Sequence, residues 1–310
     1  MWKTKTGPNI LNRMIKGFPV SLINLIRCNI DGGELAIERL TADGDYIIQG
    51  NIKCMKCGTV FKVQDGILDM LGKEIKDDKL SLYEMQVRDK IAIDAIETFN
   101  ELDEMEVPST LQRLGNTANK TILELGCGTG RFTRKLTGNC DAILAVDFSK
   151  ESLAVNARLM PANQSVGLVR ADVSKLRLKQ NSFDLALSTL YSNLPTSEIR
   201  LASSRCVFDA LKPMGRYVLS AHHHEIRERL KGIKPAGEYD NGIFYQSFTK
   251  QSLRQELKGC FSKIDFSTIC IWLPYISRFE AARVFISKMS ERIPLLNNLG
   301  ALLLATAIKN

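Results

Sequence analysis

The sequence predicts an α/β fold: a parallel, doubly wound sheet preceded by a small β domain. Three observations carry this. From Thr121 to Ile308, seven short apolar runs alternate with helical patterns, as in a parallel sheet covered by helices. Upstream, Glu34–Leu40, Tyr46–Lys53 and Thr59–Val63 alternate apolar and polar residues like short strands. Between the two regions, Lys73 to Pro108 is charged and carries apolar residues at helical spacing, at Leu82, Met85, Ile91, Ile93 and Ile96.

A chain of 310 residues suffices for one large and one small domain. The patterns divide it into an N-terminal segment with a small β domain (1–72), a helical linker or lid (73–108), and a larger domain (109–310). No run of about 18 apolar residues is present, which excludes a transmembrane helix on sequence grounds. The basic, partly apolar start MWKTKTGPNILNRMIKGFPVSLINLI is broken by Arg13, Lys16 and Pro19 and has no small-residue cleavage site, so it does not read as a signal peptide. It reads as a helix packed on the body or as a surface-lying segment in peripheral contact with a membrane. The net charge of +8 is uneven: residues 1–120 hold 16 basic and 18 acidic residues, leaving 26 and 16 for the rest. A basic half suits RNA, an anionic lipid surface or an acidic small molecule, but no dense Lys/Arg cluster singles out nucleic acid. Five of the eight cysteines (Cys127, Cys140, Cys206, Cys260, Cys270) are scattered singly, which fits core thiols in a reducing, cytoplasmic setting.

The other three cysteines form a pattern. Cys54-Met-Lys-Cys57 has the spacing that lets two thiolates grip one tetrahedral zinc, and Gly58 follows as a tight turn requires. Cys28 opens a second knuckle upstream, with Asp31 where its partner is expected. On short strands, two knuckles make a zinc ribbon. This stretch resembles the small zinc-ribbon module that serves some tRNA and protein methyltransferases as a free activator subunit and is fused in front of others. Asp65-Gly66-Ile67 and Met70-Leu71 match its closing pattern. The resemblance implies one structural zinc on Cys28, Asp31, Cys54 and Cys57. Asp31 departs from the module's cysteine, and a carboxylate is a poorer ligand for a structural site, so a metal-free ribbon stays open.

The larger domain carries TILELGCGTGRF. The dinucleotide fingerprint is G-x-G-x-x-G. Here Gly126, Gly128 and Gly130 alternate, Arg131 stands where the third dinucleotide glycine would fall, and Glu124 precedes the first glycine. A pyrophosphate would be repelled by that carboxylate, whereas a positively charged cofactor would be attracted. S-adenosylmethionine bears a sulfonium and an ammonium and no phosphate. Asp147 ends the second strand about 20 residues after the first glycine, where an acid accepts from ribose hydroxyls. With Asp172 at the end of the third strand and the LKPMGRYVLS run, this resembles a class I S-adenosylmethionine-dependent methyltransferase over nearly all of residues 105–310. The resemblance implies a Rossmann-like seven-stranded methyltransferase sheet. It also implies cofactor contacts at Glu124, Gly126, Cys127, Gly128, Gly130, Asp147, Phe148, Asp172, Val173 and Ser188, with Asp172 meeting the adenine amino group. Met214 stands where the family usually has glycine.

For the acceptor, the segment after the fourth strand, Ser188 to Pro195, lacks the Asn/Asp-Pro-Pro-aromatic turn of enzymes that methylate exocyclic amines of nucleobases or glutamine. Its layout is closer to small-molecule methyltransferases. His222, His223 and His224 follow the fifth strand, on the edge where such sheets bind ligands. One of them could serve as general base, or all could simply shape the pocket. Tyr191, Tyr239 and Tyr245 are further pocket candidates. Between the last two strands an amphipathic helix either packs on the sheet, covers an apolar acceptor or rests on a membrane. The expected function is S-adenosylmethionine-dependent methylation of a small-molecule or lipid-like metabolite at O, C or N. The alternatives are an RNA methyltransferase that holds its substrate with the ribbon and basic surface, and a non-catalytic cofactor-binding scaffold.

Overall fold

The structure, a computed structural model, describes residues 17–72, 79–92, 100–161, 165–189, 191–240, 242–271, 280–291, 293, 296 and 298–310. The first 16 residues of the basic N-terminal stretch, parts of the linker, Leu190 and residues 272–279 of the last insert lie outside these.

Six N-terminal strands come first: β1 (Phe18–Pro19), β2 (Ile26–Arg27), β3 (Leu35–Asp43), β4 (Tyr46–Cys54), β5 (Val60–Gln64) and β6 (Ile67–Asp69). Helices α1 (Lys79–Ile91) and α2 (Asn100–Leu114) follow. The larger domain then runs β7 (Thr121–Leu125), α3 (Thr133–Leu136), β8 (Ala142–Asp147), α4 (Lys150–Leu159), β9 (Val166–Arg170), β10 (Arg177–Leu178), β11 (Phe183–Ser188) and α5 (Ser197–Ala210). It continues with β12 (Leu211–His223), α6 (Ile226–Leu230), β13 (Ala236–Glu238), β14 (Phe244–Phe248), α7 (Lys250–Leu257), β15 (Lys263–Ile271), α8 (Glu280–Ser290) and β16 (Gly300–Ile308).

The central strands lie in the order β9-β8-β7-β11-β12 and are parallel throughout. β16 pairs with both β12 and β15, antiparallel to each. The sheet is therefore mixed, not wholly parallel, because the last strand returns directly into the slot between its neighbours instead of crossing over. Runs of Ile, Leu, Val and Ala in β7, β8 and β11 are buried on both faces, as the centre of a covered sheet requires. Helices begin where capping side chains occur: the Ser149 hydroxyl accepts from Ser152 N at 3.1 Å at the head of α4, and Thr249 does the same for Ser252 N before α7.

The N-terminal strands other than β2, which pairs with β10, join this sheet. β6 pairs in parallel with β9, Ile67 opposite Leu168 and Asp69 opposite Arg170. Arg170 Nη1 donates to Asp69 Oδ2 at 3.0 Å across the seam. Phe18 and Leu22 pack over β9 so closely that a Cβ on Gly167 would lie 2.9 Å from both. An edge that would otherwise expose unpaired backbone groups is thereby covered.

Met214 adopts φ +63° at the tight turn within β12. The conformation that favours glycine is thus kept, with a side chain that bears its cost.

Candidate cofactor and acceptor site

The glycine turn leaves β7 at the carboxyl edge of the sheet. Gly126, Gly128 and Gly130 all have positive φ, at +70°, +50° and +85°, backbone that L side chains rarely adopt. Their surroundings differ. A Cβ on Gly126 or Gly128 would meet nothing within 4 Å, whereas one on Gly130 would overlap Asn156 Oδ1. Gly130 is needed for packing; Gly126 and Gly128 leave a cradle that side chains would fill. A cofactor approaching its backbone there fits this turn.

Two acids frame the cradle. Asp147, buried at the end of β8, accepts from Gly128 N at 2.8 Å and Ser149 N at 2.9 Å. Burial raises its pKa, opposed by those two N–H groups. Glu124 is also buried and accepts from Thr133 Oγ1 at 2.7 Å. Burial pushes it up to about 7, opposed by the Thr133 hydrogen bond and the Arg131 charge. Glu124 thus sits beneath the turn as a carboxyl that a nearby cation would ionise. Asp172 accepts from Ser174 N and Oγ on one oxygen, Oδ1, at 2.8 and 2.7 Å. Phe148 and Val173 are partly buried beside these acids, Cys127 is buried within the turn, and Ser188 is buried at the end of β11.

The helices before β7 close over this edge. In α1, Asp89 accepts from Ser149 Oγ at 2.6 Å and from Glu151 N at 3.2 Å. In α2, Arg131 reaches Glu106 at 2.6 Å and Asp103 at 3.2 Å, and Glu106 also accepts from Ser220 Oγ of β12 at 2.6 Å. Arg131, the residue that broke the dinucleotide pattern, therefore locks the turn to α2. Neither Glu106 nor Asp89 is visible as a site residue in the sequence, because the contacts span 25 and 60 positions. The helical, acid-rich spacing of 73–108 is the signal that was available.

The three histidines separate. His223 is buried and its Nδ1 bonds the carbonyl of Gly300 at 2.8 Å, tying β12 to β16. His224 Nε2 bonds the carbonyl of Ile233 at 3.0 Å. His222 alone meets an aromatic cluster: Tyr239 Oη lies 2.8 Å from its Nδ1, and Tyr245 stacks on it with ring centroids 6.4 Å apart. Burial pushes His222 down to about 4 and raises the Tyr239 phenol, so both are neutral at physiological pH. Tyr191 does not join them. Its ring is buried and its hydroxyl is engaged by the Arg200 carbonyl at 3.1 Å and Ser204 Oγ at 3.0 Å. Its ring packs in the hydrophobic core, apart from the His222 cluster. The lid reaches this cluster too: buried Glu84 of α1 accepts from Phe244 N at 3.2 Å.

Residues 122–215 match the family model described as a methyltransferase domain. The fold is that of S-adenosylmethionine-dependent methyltransferases. Phosphoethanolamine N-methyltransferase 1 of Triticum aestivum is 29% identical over 164 residues, covering 51% of this chain and 32% of that protein. Demethylmenaquinone methyltransferase of Lactococcus lactis is 29% identical over 120 residues, covering 37% of this chain and 47% of that one. The chain thus spans about a third of the first of these and under half of the second. Among solved structures, the complex of DhpI with S-adenosylhomocysteine aligns with TM-score 0.52 at 18% identity, covering 73% of this chain and 94% of that one. A chain of the Trm112 methyltransferase activator complex of Haloferax volcanii aligns with TM-score 0.52 at 17% identity, covering 71% and 96%.

In the N-terminal strands, Cys28, Asp31, Cys54 and Cys57 bring one ligand atom each to within 4.8 Å of one another. Lys56 N and Cys57 N donate to Cys54 Sγ at 3.4 and 3.5 Å, and Gly33 N holds Asp31 Oδ1 at 2.9 Å.

Proposed function

We propose that the protein is an S-adenosylmethionine-dependent methyltransferase acting on a small-molecule or lipid-like acceptor. The observation that carries this is the shared edge. An acid-framed glycine cradle for a cationic cofactor, at the ends of β7 and β8, and a neutral His–Tyr pair, at the end of β12, both open at the carboxyl edge of one sheet. The matched relatives named for phosphoethanolamine, demethylmenaquinone and malonyl-acyl-carrier-protein support the acceptor class.

When bound, the cofactor supplies a methyl group activated by the sulfonium. Gly126 and Gly128 let it approach the backbone, Asp147 accepts from its ribose, and Glu124 offsets its positive charge. Helices α1 and α2 exclude water and fix the turn. Tyr239 and His222 handle the acceptor's proton. An imidazole with a pKa near 4 is a weak base, and it takes a proton only from a strongly acidic group. A hydroxyl oxygen becomes one on methylation, as an oxonium, so this pair suits an oxygen acceptor.

The test incubates purified protein with methyl-labelled S-adenosylmethionine and host extract divided into RNA, protein, and small-molecule plus lipid pools. Label in the last pool is expected. Label in RNA would overturn the acceptor class, and no label in any pool would count against catalysis.

We also read the strands before α1 as a fused zinc ribbon, with zinc held by Cys28, Asp31, Cys54 and Cys57. Three thiolates and a carboxylate suit tetrahedral zinc. A Cβ on Gly33 would lie 2.7 Å from Cys54 Sγ and 3.1 Å from Asp31 Oδ1, so the pocket closes around its donors. Elemental analysis should find one zinc per chain in the wild type and none in Cys54→Ser; wild type without zinc would refute the site.

A further inference from the structure

The carboxyl edge carries more than the cradle and the His–Tyr pair. β12 and β15 are parallel, so α6, which follows β12, and α8, which follows β15, both rise from that edge. His223, at the end of β12, bonds the carbonyl of Gly300 at the start of β16, the strand that pairs with both.

Each of these elements presents an exposed apolar stripe. On α6 and the turn after it these are Ile226, Leu230 and Ile233, with Leu230 83% exposed. On α8 they are Phe285 and Met289, with Ile293 after its end, and Phe285 is 65% exposed. The opposite side of α8 is packed: Ser287 and Ser290 are buried, and Ser287 Oγ accepts from Ile271 N at 3.0 Å. Large aliphatic and aromatic side chains in water, spaced a helical turn apart on two elements that follow strands ending at one edge, need an apolar counterpart.

The charges around the stripes select that counterpart. Arg229, Lys231, Lys234 and Lys288 are exposed among these residues. The acid nearest Leu230, Glu228, is turned back on its own helix and accepts from Glu225 N at 3.3 Å. Basic side chains beside exposed apolar ones match a surface with anionic headgroups above hydrocarbon. Among the described residues no helix is long and apolar enough to cross a membrane, so the contact lies on the bilayer.

We propose that α6 and α8 dock the protein on an anionic lipid surface, with the carboxyl edge of the sheet turned toward the lipid. The acceptor cluster at His222, near the end of β12, lies on the same edge and thereby faces the bilayer. This docking stands on the exposed residues alone and does not depend on methyl transfer.

The test is flotation of the full chain with phosphatidylcholine vesicles and with vesicles that also contain phosphatidylglycerol. Binding is expected to the mixed vesicles, and to fall as salt is raised. Leu230→Glu and Phe285→Glu should each weaken it about tenfold, with an unchanged unfolding midpoint because both side chains are exposed. Leu40→Glu, exposed on β3 of the N-terminal strands, should bind as wild type. Absence of binding to mixed vesicles would overturn the proposal, as would binding that Leu230→Glu and Phe285→Glu leave unchanged. A dimer in solution that Leu230→Glu dissociates would assign the face to a second copy instead.

Discussion

The glycine turn and the His222 cluster lie on one edge of one sheet and are built in opposite ways. The turn is local. Gly126, Gly128, Gly130 and Glu124 fall within seven consecutive residues, and their backbone angles alone shape the cradle. The acceptor cluster is assembled from distance. His222 lies near the end of β12, Tyr239 in the turn after β13, Tyr245 in β14, and Glu84 arrives from the lid. A cofactor common to many reactions can be held by a short motif, whereas an acceptor is recognised by side chains that each fold gathers differently.

The sharpest way to break this comparison is within the turn itself. Gly130→Ala should cost about 3 kcal/mol of stability, from a left-handed φ and overlap with Asn156. Gly126→Ala should cost only about 1 kcal/mol, from its φ, yet weaken S-adenosylmethionine binding roughly a hundredfold by filling the cradle. Denaturant melts and calorimetry on the two variants separate packing from approach; equal stability losses would undo the distinction.

The acceptor cluster should respond in the other direction. Tyr239→Phe is expected to lower kcat about a hundredfold with cofactor affinity unchanged. Tyr191→Phe should leave kcat intact and cost about 1 kcal/mol of stability, because its hydroxyl serves Arg200 and Ser204 in the core.

Glu124 is raised to about 7 in the folded protein, against an ordinary 4.5. Its contribution to stability is therefore full below pH 4.5 and is lost as pH rises through about 7. A bound cation favours the ionised form, so cofactor affinity should climb about tenfold per pH unit below 7 and level off above it. Glu124→Gln should flatten that profile. The smallest effect concerns the turn at Met214, where Met214→Gly should stabilise by about 1 kcal/mol by relieving φ +63°. Unfolding midpoints would detect it.

What the sequence made legible follows the same division. Strands β7, β8, β9 and β11 and the helix starts at Ser149 and Thr249 are written in local apolar runs and caps. The knuckle residues Cys28, Asp31, Cys54 and Cys57 lie together. The pairing of β6 with β9 was not legible, because register between strands about 100 residues apart leaves no local trace. Nor was the fate of the histidines. Three adjacent residues at a strand end point in different directions, and only the fold decides that His223 meets Gly300 while His222 meets Tyr239. Arg131 was visible only as a missing glycine; its role as a tie to Glu106 depends on a helix that precedes it by 25 residues.

The acid-framed turn should take a cationic sulfonium cofactor in preference to a pyrophosphate. Calorimetric titration of the purified protein with S-adenosylmethionine and, separately, with NAD tests that most directly. The prediction is saturable binding of S-adenosylmethionine at one site per chain, lost in Asp147→Ala, and none of NAD. Binding of NAD without S-adenosylmethionine, or of neither, would contradict it.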